Sequence, residues 1–216
     1  MEKHFELTDE TIEVYGKTLH RIRCRCDCKW ANAGDLGGFI EKEDNLSDNA
    51  WVSGNARVYG NAWVSDNAQV SGNARVYGNA WVSDNAWVYG NARVYGNAWV
   101  SDNAQVSGNA RVYGNAWVSD NAWVYGNAWV YGDARVSGNA RVSGNDDHCG
   151  FDVFGSIGRH THAYRTSDGG VEITCGCFHG DIEAFEAKVR HTHGDSQYAR
   201  EYLTIAHVIR VKFGLA

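Results

Sequence analysis

Nine histidine and cysteine side chains crowd into the 46 residues from His148 to His193: His148, Cys149, His160, His162, Cys175, Cys177, His179, His191 and His193. Imidazole and thiolate together make zinc ligands, or a nucleophile and its base. Cys175, Cys177, His179 and His162 could form a zinc set, although their spacings match no standard pattern. Cys177 precedes a helix expected to start near Asp181, and a helix N-terminus lowers a thiol pKa. His193 closes that helix roughly 18 Å along its axis, so pairing it with Cys177 needs the chain to fold back or a second subunit. Structural packing is the reading adopted here, with no catalytic residue, metal or cofactor assigned. Zinc binding and thiol chemistry are its alternatives.

A second thiol group lies in the run from Leu19 to Cys28, which alternates like a strand. Alternation sets Ile22, Cys24, Cys26 and Cys28 on one face and Arg21, Arg23 and Arg25 on the other. Neighbours on one face of one strand cannot alone close a tetrahedral metal site, so thiols buried in a capping strand are expected.

Two further sets are defined by spacing alone. Arg57, Arg75, Arg93 and Arg111 recur every eighteen residues, each followed two positions later by Tyr59, Tyr77, Tyr95 or Tyr113. Guanidinium interleaved with aromatic rings suits a phosphate-bearing ligand, through bidentate bonds and stacking. Trp63, Trp81, Trp99 and Trp117 recur at the same interval, and their corner carries Asp48, Asp66, Asp84, Asp102 and Asp120. Such an apolar strip is expected to be an oligomer interface. The aspartates would repel one another unless cations or arginines lie close, and Arg–Asp pairing between subunits is slightly preferred to ligand binding. A third column reads Trp51, Gln69, Trp87, Gln105, Trp123 and Arg141. Each column also has a purely structural reading, as stacked side chains that protect a sheet face.

The element that must hold these columns is a hexapeptide repeat. From Asn49 to Gly144 the chain reads Asn-Ala-x-Val-(Ser/Tyr)-(Gly/Asp), with valine at every sixth residue from Val52 to Val142. Extending the register back places Leu46 and Ile40 at the valine position, and Asp44 and Gly38 at the alanine position. Residues two apart on a strand share a face, so Ala and Val point inward and x outward. Gly, Asp and Asn tolerate the positive φ of a tight corner. A six-residue unit cannot bury its own apolar face, whereas stacked coils can. Eighteen hexads over residues 37–144 give six coils of a parallel β-helix, a rod of about 29 Å whose ends need capping. Residues 61–96 and 97–132 differ only at Arg93 versus Trp129, which points to recent duplication.

The flanks are organised differently. Residues 1–36 are read as strands capping the rod, including Thr11–Tyr15, and residues 145–216 as a small α+β domain. In the latter, strands are expected at Phe151–Phe154, His160–Arg165 and Val171–Cys175. A helix from Asp181 should bury Ile182, Phe185 and Val189, and one from Ser196 to Phe213 should bury Tyr198, Tyr202, Ile205, Ile209 and Phe213. A net charge of −6 gives no global reason to expect nucleic-acid or membrane binding. No run approaches a membrane span and the N-terminus does not read as a signal peptide, so a cytoplasmic location is expected.

Residues 37–144 resemble the hexapeptide-repeat β-helix superfamily, and that resemblance implies a left-handed coil and a homotrimer. Its enzymes are mostly acyltransferases, whose sites use a histidine and loops that leave the coil. Residues 37–144 contain neither, which speaks against that activity. The motif Gly34-Asp-Leu-Gly-Gly-Phe-Ile-Glu-Lys-Glu43 resembles a family of phage and prophage hexapeptide-repeat proteins. So does Cys175-Gly-Cys-Phe-x-Gly180, with Phe185, His193-Gly194 and Glu201-Tyr202 behind it. That resemblance implies a bacteriophage setting rather than a mechanism, and Cys24, Cys26 and Cys28 depart from the family's usual strand. The reading is a non-enzymatic scaffold that sequesters a phosphate-bearing small molecule or occupies a host protein, in the manner of an anti-defence inhibitor. An acyltransferase-like or thiol enzyme and a virion structural element are the alternatives.

Overall fold

The structure is a computed structural model and describes residues 3–215. Its body is a parallel β-solenoid of six coils. Each coil contributes one short strand to each of three faces, and successive coils pair in parallel at eighteen-residue offsets, as in Arg57↔Arg75 and Trp99↔Trp117. The first coil runs through Ile40, Leu46 and Val52, the last through Val130, Val136 and Val142.

The alternation fixes what is inside. Every valine from Val52 to Val142 is fully buried, and the alanines from Ala50 to Ala140 are at most 3% exposed. Because the core uses almost only these two side chains, each coil has the same cross-section and stacks without insertion. Asp48, Asp66, Asp84, Asp102 and Asp120 turn their corner at φ between 52° and 60°, and glycines turn the others. The asparagines that follow form amide ladders up the rod, such as Asn61 Nδ2 to Asn79 Oδ1 at 3.2 Å. One inferred inward position is corrected. Asp44 lies exposed in a 3-10 turn, and Asn45 is buried there instead, donating to the carbonyls of Gly60 and Ala62. The amide suits the place because Nδ2 donates to two carbonyls while Oδ1 accepts from Lys42 N, whereas an acceptor-only carboxylate would face those carbonyls without a proton to give.

The N-terminal edge is closed by strands β1 (Phe5–Val14), β2 (Lys17–Cys24) and β3 (Leu36–Ile40). They pair antiparallel in that order, and β3 then pairs in parallel with the coil strand at Arg57–Val58, so the edge is covered. Gly37 permits the join: a β-carbon there would lie 2.4 Å from Ile22 Cγ1. The expected Leu19–Cys28 strand stops at Cys24, because the chain turns away to bond Cys28 N to Ala31 O. Cys24 is therefore buried, Cys28 half-buried and Cys26 exposed. The Cys24 and Cys28 sulfurs are 3.8 Å apart, and burial, with Cys28 beside it, pushes the Cys24 thiol up to about 11. Trp51, expected on the outer surface, is only 4% exposed because the N-terminal segment covers it, with the His4 ring 6.0 Å away.

The C-terminal module is an antiparallel sheet of strands His148–Phe154, Arg159–Arg165, Val171–Cys175 and Phe178–Gly180, packed on helices α1 (Ile182–His193) and α2 (Gln197–Phe213). Asp181 and Ser196 cap the helices, accepting from Ala184 N and Ala199 N. Of the expected buried positions only Tyr198 is displaced outward, at 42% exposure. The module plugs the end of the rod. Tyr164 enters the solenoid core and bonds Ser137 at 3.1 Å. His162 Nδ1 and Thr174 Oγ1 both donate to the carbonyl of Arg135.

Candidate functional site: the arginine–tyrosine face

Parallel register turns the eighteen-residue spacing into two adjacent ladders. Arg57, Arg75, Arg93 and Arg111 pair strand to strand, followed by Trp129. The rings of Tyr59, Tyr77, Tyr95 and Tyr113 stack at 4.9–5.0 Å within 3° of parallel, and Tyr131 follows at 5.4 Å. Stacking at the strand spacing is what an untwisted coil enforces.

The arginines are the feature with chemical consequence. None of the four has an ion-pair or hydrogen-bond partner among the described residues; Arg111 lies over the Trp129 ring at 4.7 Å. Like charges one strand apart repel, and guanidinium remains charged at any relevant pH. Burial, followed by the neighbouring tyrosine, holds Tyr77 above its ordinary pKa and Tyr59 at about 12. Tyr113 is likewise raised by burial and its tyrosine neighbours. These hydroxyls are therefore neutral donors near pH 7.

The face is bounded at both ends. Val14 and Leu19 of the β1–β2 hairpin and Phe39 of β3 pack on Tyr59, leaving it 5% exposed, so Tyr59 is structural rather than available to a ligand. At the far end, Tyr131 and Trp129 open into a cavity of about 610 Å³ shared with His148, His160 and His162. Sequence spacing could not show this wall, because residues 145–165 have no repeat register to place them. His162 is pushed down to about 3 by burial and His148 below its ordinary value for the same main cause, so the two are neutral. Their tautomers follow from their partners: His162 Nδ1–H donates to Arg135 O, and its Nε2 accepts from His148 Nδ1 at 2.9 Å. His160 Nδ1 bonds Asp152 Oδ1 at 2.5 Å, while its buried Nε2 lacks a partner.

The other expected sites resolve differently. Trp63, Trp81, Trp99 and Trp117 follow one another at 4.7–5.1 Å, the first pair tilted by 32° and the other two stacked, with Trp63 and Trp117 nearly 40% exposed and Arg135 over the last ring. The aspartate corner does not stand unpartnered. Each carboxylate accepts its neighbouring serine hydroxyl, as Asp66 does from Ser65 at 2.8 Å, and lies 3.0–3.5 Å from the amide one coil above. These donors belong to the same chain, so each carboxylate is hydrogen-bonded without a residue from another subunit. The thiol argument at Cys177 is also corrected. Strand Phe178–Gly180 separates Cys177 from α1, so the helix N-terminus is not beside it. The strand runs away and α1 returns, bringing Cys177 and His193 to the same cleft. His162 and His179 are engaged elsewhere, His179 with Glu172 at 2.8 Å. Among the described residues, no three His, Cys, Asp or Glu side chains converge as metal ligands.

Stacked parallel coils, an alternating Ala/Val interior and a plugged end define a repeat β-helix protein. Its repeats match the family model described as the YdcK beta solenoid repeat, at residues 50–66, 68–84, 86–102, 104–120, 116–132 and 134–145. No curated protein matches the chain. No helix among the described residues is long and apolar enough to cross a membrane.

Proposed function

We propose that the protein is a non-enzymatic binding scaffold, whose arginine–tyrosine face takes an extended phosphate-bearing ligand. The observation that carries this is the set of four in-register guanidinium groups with no counter-charge among the described residues. From Tyr77 to Tyr131 the open face covers four coils, three strand spacings or about 14 Å, enough for a ligand with several phosphates. Guanidinium forks would bind phosphate oxygens while neutral tyrosines donate from the side. The phage-like flanks favour a host molecule or a host defence protein as the target, inside the bacterial cytoplasm. The test is tripolyphosphate binding by calorimetry at several salt concentrations. Binding that weakens with salt, and drops roughly tenfold or more on Arg75→Gln/Arg93→Gln, is expected. Absent or salt-independent binding would remove the proposal.

A second reading concerns assembly. The partly exposed indoles from Trp63 to Trp117 favour burial between copies, as a left-handed hexapeptide-repeat trimer would provide. Light scattering decides it: a trimer supports the reading, and a monomer at micromolar concentration rejects it.

A further inference from the structure

The cleft that unites Cys177 and His193 shares no lining residue with the cavity at the end of the arginine–tyrosine face. We infer that it binds a small amphiphilic carboxylate, with Arg159 as the anion-holding residue. The cavity measures about 270 Å³ between the Cys175–Phe178 turn and the second half of α1. Phe178, Phe185, Val189 and Tyr202 supply apolar walls, Arg159, Lys188 and His193 supply basic groups, and no carboxylate lines it.

Arg159 is the informative member. The module's other arginines have partners: Arg165 pairs with Asp147, Arg190 with Glu186, and Arg210 with Glu183 and Glu186, while Arg200 donates to the carbonyl of Asp195. Arg159 has no ion pair or hydrogen bond among the described residues. Its guanidinium instead lies across Gly176, where a β-carbon would be 1.8 Å from Nη1. Gly176, at φ +61°, lines an adjoining groove that also holds Asp133, and Arg159 lines both that groove and the cleft, so its guanidinium stands on the wall between them without an ion pair. His193 stacks on Tyr202 at 5.6 Å, which fixes the opposite side. A bidentate carboxylate on Arg159 and an apolar body against Phe178 and Phe185 would satisfy both halves of this surface. The volume sits below the usual drug-sized range, which limits the body to a short acyl or aryl group.

Cys177, exposed at the cleft, is a built-in reporter. The intact protein is alkylated with iodoacetamide, and the rate is read on the Cys177 peptide by mass spectrometry, with exposed Cys26 as the internal control. Octanoate should slow Cys177 saturably and leave Cys26 unchanged, whereas 1-octanol, with the same body and no charge, should not protect. Arg159→Gln should weaken octanoate protection roughly tenfold, the worth of a charge-assisted bond. Arg159→Lys, which keeps charge but not the fork, should fall between. No protection by octanoate, or equal protection by octanol, overturns the inference without any variant. Full protection in folded Arg159→Gln overturns the role of Arg159.

Discussion

Replacing Val94 by aspartate tests the inward assignment where the rod has least room to adjust. Val94 is fully buried mid-rod and pairs with Val76 below and Val112 above. The side chains in that interior are alanines and valines, so neither form of the carboxyl group finds a donor there. Losing the two buried methyls costs about 1.5 kcal/mol, and burying an unpaired neutral acid costs a further ~2–3 kcal/mol. Ionisation would cost more, so the acid would stay protonated while folded and the penalty would grow with pH. Against a typical domain stability of roughly 5–15 kcal/mol, a loss near 4 kcal/mol is severe. Two controls separate volume from polarity. Val94→Ala should cost about 2 kcal/mol, and Arg93→Asp, on the outer face next to it, less than about 1 kcal/mol. Urea unfolding followed by far-UV circular dichroism reads all three. If Val94→Asp stays within 1 kcal/mol of the parent, or Arg93→Asp costs as much, the packing argument is wrong.

Acid should weaken the junction between rod and module. His162 is held near 3 when folded but titrates near 6.5 when unfolded. The unfolded chain therefore binds more protons between those values, and stability falls as pH drops below about 6.5. At pH 5 that single group costs about 2 kcal/mol, and His162→Asn should flatten the slope of urea stability against pH. At the corners, Asp84→Gly should be tolerated within ~1 kcal/mol, since φ there is already positive. Gly96→Ala should cost more, about 1–2 kcal/mol, because its β-carbon would meet Gly114 N at 3.0 Å in a left-handed turn; thermal melts distinguish them.

The sequence by itself determined the solenoid. Period six with Ala and Val two apart leaves one register in which a polar, turn-rich chain can bury an apolar face, and that register specifies the columns. Helix starts were equally readable near Asp181 and Ser196, because the bond that caps a helix is local, within four residues. Tertiary structure decided what the columns meet. Tyr59 and Trp51 lie at the outward positions of their hexads, yet both are buried by N-terminal segments far away in sequence. The aspartates are satisfied by amides eighteen residues on, while the arginines are not. Cys177 and His193, separated along α1, share a cleft only because the three-residue strand Phe178–Gly180 reverses the chain first. Periodicity encodes which way a side chain points, since that depends on its own backbone. What covers, charges or faces it depends on segments that share no period with it.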